Sequence, residues 1–157
     1  MNPLQPLLAL LAQTERERDV AIADAQRAAQ AQLAAVAQSE QLLNYRREYE
    51  QRWGAQFRNE GKMELVNCYR GFVDRLSQAV DQQQRIAQHA SAQLDRARDT
   101  LLQHEVRVAS VRKLIERRAK ELRLSLDRIE QKQTDEFGAR ASWAAHGLGR
   151  NGLAHTV

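Results

Sequence analysis

Two kinds of residue in this chain could carry function: its nucleophiles and metal ligands, and its rings. Cys68 is the only cysteine, and the histidines stand at 89, 104, 146 and 155. A transition-metal site needs several such ligands at short spacings, and none of these residues has that spacing with another. His104 reads as a polar interruption of an apolar helical stripe. No GxxxxGK[ST] phosphate loop is present, so the chain does not hydrolyse nucleotide by that route. Carboxylates and serines abound, yet a pattern of two long helices builds no concave, water-excluding pocket for an acid–base pair. The reading is of a non-enzymatic protein with no metal and no cofactor.

The rings are the sharper signal. Tyr45, Tyr49, Trp53 and Phe57 follow one another at intervals of four within LLNYRREYEQRWGAQF, a segment otherwise full of Arg, Glu and Gln. Four residues advance a helix by about 400°, so these rings form one slowly drifting ridge. Rings on a helix either pack in a core or wait for a partner, and the elements that carry them must decide which.

Those elements are long helices. Two Pro and seven Gly in 157 residues, with much Ala, Gln, Arg and Glu, is the composition of a coiled coil. Asn2 is a candidate cap for a first helix entered through Pro3 and Pro6. That helix spans 3–58, a turn occupies 59–62 around Asn59 and Gly61, and a second helix spans 63–137. The Gly-rich segment 138–157 has no periodicity and reads as a flexible tail. The apolar run Leu7–Ala12 has no basic residue before it and falls short of the roughly 18–20 residues that cross a bilayer, which indicates a cytoplasmic protein without membrane insertion.

On the second helix, alternating steps of three and four run from Val66 through Tyr69, Val73, Leu76, Val80, Leu94, Leu101, Val108, Val111 and Ile115 to Ile129. Only Gln83, His104, Arg118 and Ser125 are polar in that series. Such a repeat imposes a left-handed supercoil against a partner helix. The first helix supplies Leu4, Leu8, Leu11, Ile22, Ala25, Ala29, Val36 and Leu43. A short turn makes the two antiparallel, giving an all-α, two-helix coiled-coil hairpin. Folding about residue 60 brings Glu15, Glu17, Asp19 and Asp24 near Arg96, Arg98 and Arg107. The second helix then overhangs from about Arg118, leaving Leu122, Leu126 and Ile129 without a partner in the same chain.

Near the turn each helix carries a second apolar series one residue out of phase. Gln38, Leu42, Tyr45 and Tyr49 form it on the first helix. Leu65, Tyr69, Phe72, Leu76, Ala79 and Gln83 form it on the second. One stripe can face the other helix, and a surplus stripe on a slender hairpin marks a docking surface.

NYRREY at 44–49, NCYRGFVDRLSQAV at 67–80 and EQKQTDEFGARA at 130–141 resemble the flagellar export protein FliJ family, over most of the chain from Leu8 to Ala141. The resemblance implies an antiparallel coiled coil like the central stalk of rotary ATPases, a component of the flagellar type III export apparatus. Its implied partners are the export ATPase hexamer, the cytoplasmic domain of the membrane export gate and the export chaperones, at the inner-membrane base of the flagellum. Gln38, Leu42, Tyr45, Tyr49, Phe72, Leu76, Ala79 and Gln83 then stand where the gate-binding face lies, with Gln83 where some members carry His. The helix ends would enter the ATPase ring, which puts Arg112, Lys113, Arg117, Arg118 and Leu122 at that contact.

Residues 107–123 carry seven basic side chains against Glu116 and Glu121. The charge sits on a seam-bearing helix rather than ahead of one, so a zipper-type DNA role is not favoured and no nucleic-acid partner is expected. Two alternatives stay open: a homo-oligomeric structural coiled coil, and the equivalent stalk of a virulence secretion system.

Overall fold

The computed structural model describes residues 2–59 and 61–150. Helix α1 spans Gln5–Asn59 and α2 spans Met63–Arg150. Among the described residues there is no strand. The fold is an antiparallel two-helix hairpin, as the periodicity implied.

The chain enters α1 through the expected cap. The Asn2 side-chain oxygen accepts from the Leu4 N–H at 3.1 Å, and the Asn2 carbonyl accepts from the Gln5 N–H at 3.1 Å. These bonds satisfy donors that a helix start would otherwise leave orphaned, and Pro3 has no N–H to satisfy.

Two compact units divide the chain. One joins residues 12–108, and the other joins residues 2–11 to 109–150. In the first, antiparallel pairing is explicit: Arg107 reaches Glu17 at 3.4 Å, and Gln83 donates to Gln38 at 3.1 Å. The core lies along the seam, at Ala21, Ala35, Leu76, Val80, Leu94 and Val108, with Val80 only 1% exposed. In the second unit Val111 is buried, and Leu4, Leu7, Leu114 and Leu122 line one apolar groove.

On α2 the expected series holds closely. Leu76, Val80, Leu94, Val108 and Val111 are its buried members, and the residues between them are half-buried. On α1 the phase differs by one residue from expectation. Ala21, Ala35 and Ser39 are buried, whereas Ile22, Val36 and Leu43 are half-buried at the flank and Leu8 is exposed. The reason is geometric. Small side chains at the centre of the seam let two helices approach closely, and the bulkier neighbours then cover its sides. Thr14 is buried in the same seam, and Arg18 lies half-buried with its guanidinium bonded to Asp19.

The second helix also outlasts its expected end at 137. It passes through Gly138 without a positive φ and continues to Arg150, carried by the Ala-rich stretch 139–145. The flexible tail expected over 138–157 is therefore helix as far as Arg150, and residues 151–157 lie outside the described residues. Leu122 is not left bare as expected, since Leu4 and Leu7 share its groove. Leu126 and Ile129 are exposed, as the overhang required.

Candidate functional site

The hairpin binds its rings near the turn, within the unit 12–108. Tyr49 lies 4.4 Å from Phe72 and 5.9 Å from Tyr69, centroid to centroid. Trp53 reaches Tyr69 at 6.1 Å, and Phe57 meets the same ring edge-on at 5.1 Å. Along α1 itself Tyr45, Tyr49, Trp53 and Phe57 contact one another in succession. The four-residue ridge is thus a zipper whose α2 teeth are Tyr69 and Phe72. Such pairs contribute about 0.5–1.5 kcal/mol each beyond the area they bury.

Tyr49, Trp53 and Phe57 belong to the packed part of that zipper, each only partly accessible. This follows from the phase of α1. Stepping from Ala35 and Ser39 by three and four gives Leu42, Arg46, Tyr49 and Trp53, so Leu42 and Tyr49 approach the seam rather than a separate stripe. Tyr45 is the ring left over, half exposed at 50%. Beside it Gln38, Gln41, Leu42 and Gln83 complete a groove of about 470 Å³. On α2, Leu76 is buried in the core, while Phe72, Ala79 and Gln83 are half-buried. The eight residues singled out near the turn therefore fall in one neighbourhood but divide into two roles. Tyr49 and Leu76 hold the helices together, Phe72 and Leu42 are half-buried at the edge of that packing, and Gln38, Tyr45, Ala79 and Gln83 complete the accessible surface beside them.

The electrostatics of this end are quiet. Burial raises the Tyr69 phenol above its ordinary value, with the nearby charge of Glu50 and then Tyr49 acting in the same direction. Arg46 reaches Glu50 at 4.0 Å, and Arg75 donates to the Gly71 carbonyl at 3.2 Å, so the cations here bend towards their own helices.

The basic segment sits elsewhere. Arg112, Lys113, Arg117 and Arg118 are all exposed, and Arg118 reaches Glu121 at 3.6 Å. Pro3, Leu4, Leu7, Leu114, Arg118, Glu121 and Leu122 enclose a groove of about 490 Å³ in the second unit.

Among the described residues no group of three His, Cys, Asp or Glu side chains could hold a metal ion. His146 Nδ1 lies 3.0 Å from the Ser142 carbonyl, and His89 lies 3.4 Å from Gln93. His104 is half-buried in the seam, its Nδ1 buried with no hydrogen-bond partner. Among the same residues no helix is long and apolar enough to cross a membrane.

Residues 28–39 contain no Asp, Glu, Lys or Arg, and neither do residues 86–94. Antiparallel continuation from the Gln38–Gln83 bond sets these two stretches side by side.

The site is a packed aromatic cluster beside the turn of an antiparallel hairpin, with Tyr45 and a glutamine-lined groove at its surface. The family model for the flagellar FliJ protein matches residues 1–147. The chain belongs to the FliJ family. No curated protein and no solved structure matches it. FliJ-family membership makes this a component of the flagellar export apparatus.

Proposed function

We propose that this FliJ-family protein is a coiled-coil stalk that couples the export ATPase ring to the cytoplasmic domain of the membrane export gate and also receives export chaperones. In this reading the gate docks on the face made by Gln38, Leu42, Tyr45, Phe72, Ala79 and Gln83, with Tyr49 and Leu76 holding that face in shape from beneath. The observation that carries the reading is Tyr45. A ring half exposed, stacked 6.3 Å from a packed Tyr49 and opening onto an apolar groove, is a preorganised anchor. The exposed cations at 112, 113, 117 and 118, with Leu122, would meet the ATPase ring, where positive charge steers association with an acidic surface. The action is mechanical: the packed seam of the unit 12–108 supplies stiffness, and the turn end supplies recognition.

Capture of the purified gate domain by wild type and by Tyr45→Ala tests this. A loss of capture at unchanged helical circular dichroism supports the face, and equal capture removes it.

A second reading has its own observation. Leu126, Ile129, Phe137 and Leu148 are exposed along α2, and self-association through them would make the protein a structural oligomer. Sedimentation at micromolar concentration separates the two, because a stable dimer favours the oligomer and a monomer favours the stalk.

A further inference from the structure

We infer that the docking face does not end at Gln83 but continues one helical turn further, to Ile86, so that the partner lays an uncharged apolar surface along the charge-free belt. This rests on the gate-docking reading of the turn end and extends the same site.

Ile86 stands seven residues after Ala79 and fourteen after Phe72, so the three share one face of α2 in a coiled coil. An isoleucine there would ordinarily be covered by its partner helix, but Ile86 is 47% exposed. The reason lies across the seam. Residues 28–39 of α1 include Ala28, Ala29, Ala31, Ala34, Ala35 and Ala37, side chains too short to reach over it.

The belt around Ile86 is unusual for this chain. Charged residues make up 28% of the whole, yet 28–39 and 86–94 have none. What lines the belt is Ala, Gln, Ser and His89, with Ile86 and Leu33 as the exposed aliphatic side chains. Covering such a surface strips water from no ion, which is the largest penalty a docking partner meets on a typical coiled coil. The Gln38–Gln83 bond lies between the Tyr45 groove and Ile86, and amides of this kind can share hydrogen bonds with a partner backbone. The occupant that fits is therefore a partner surface with no formal charge and at least one aliphatic or aromatic side chain to place against Ile86. An acidic or basic peptide does not fit.

Leu33 supplies the internal control. It is 67% exposed within the same belt but lies on a different face of α1 from Gln38 and Tyr45.

The test is the affinity of the full-length protein for the purified gate domain, by calorimetric titration, with helicity and thermal midpoint checked for each variant. Ile86→Ala should weaken binding about 5-fold and Ile86→Glu at least about 10-fold, while Leu33→Glu stays within about 2-fold. Wild-type affinity in Ile86→Glu, together with a clear loss in Tyr45→Ala, overturns the extension and leaves the turn-end face standing. Wild-type affinity in both overturns the docking face itself. A loss in Leu33→Glu equal to that in Ile86→Glu overturns the assignment to one face.

Discussion

The turn end of the hairpin and the far arm of α2 carry the same kinds of apolar residue and put them to opposite uses. Tyr45, Tyr49, Trp53, Phe57, Tyr69 and Phe72 form one connected set of ring contacts. The remaining two aromatic residues, Phe137 and Trp143, stand alone on the arm, 76% and 83% exposed. The difference is the presence of a second helix. A helical stripe stabilises only where another surface removes it from water, so rings facing α1 become structure, and rings beyond its reach stay on the outside. The turn end also shows what an incomplete enclosure leaves: Tyr45 projects because the zipper beneath it is already filled by Tyr49.

This contrast can be broken at its strongest point by truncating the most connected ring. Tyr49→Ala removes contacts to Tyr45, Trp53, Tyr69 and Phe72 and should lower unfolding free energy by about 3 kcal/mol in chemical denaturation. A change below about 1 kcal/mol would mean that the ring cluster is decoration on a hairpin held elsewhere.

A smaller effect is expected from pH. The Tyr69 phenol is raised in the folded state by burial, so the folded protein holds that proton where the unfolded chain has begun to lose it. The associated stability is fully present below the ordinary tyrosine value of about 10 and is lost as pH rises through the folded value. The stability of wild type relative to Tyr69→Phe should therefore fall between about pH 9 and pH 11. A constant difference would show that the phenol feels no burial in the cluster.

The smallest effect belongs to the arm. Trp143→Ala should change stability by less than about 0.5 kcal/mol, because its ring is 83% exposed. A larger destabilisation would reveal a partner for the arm in solution.

How much of this was legible in the sequence follows from where side-chain size carries information. The α2 seam was readable from Val66 to Ile115 because Val, Leu and Ile mark it at nearly every step. The α1 seam was misplaced by one residue because its centre is Ala21, Ala35 and Ser39, small side chains that hydropathy passes over in favour of Ile22, Val36 and Leu43. That one-residue slip matters at the site. It made Tyr49 look like surplus surface, whereas its true phase turns it inward and leaves Tyr45 as the exposed ring. The helix end was missed because Gly138 reads as a stop, although the alanines after it outweigh one glycine. The ion pair between Glu17 and Arg107 was legible from charge order alone once the turn was placed.

The division of labour at the turn end is what the account rests on: packed rings below, one ring and a groove above, and an arm whose rings serve neither. Calorimetric titration of the gate domain into Tyr45→Ala and Trp143→Ala, both at full length, addresses it directly. The expected result is at least about a 10-fold loss of affinity for Tyr45→Ala and wild-type affinity for Trp143→Ala. Loss in the Trp143 variant with none in the Tyr45 variant would contradict it and move recognition from the turn to the arm.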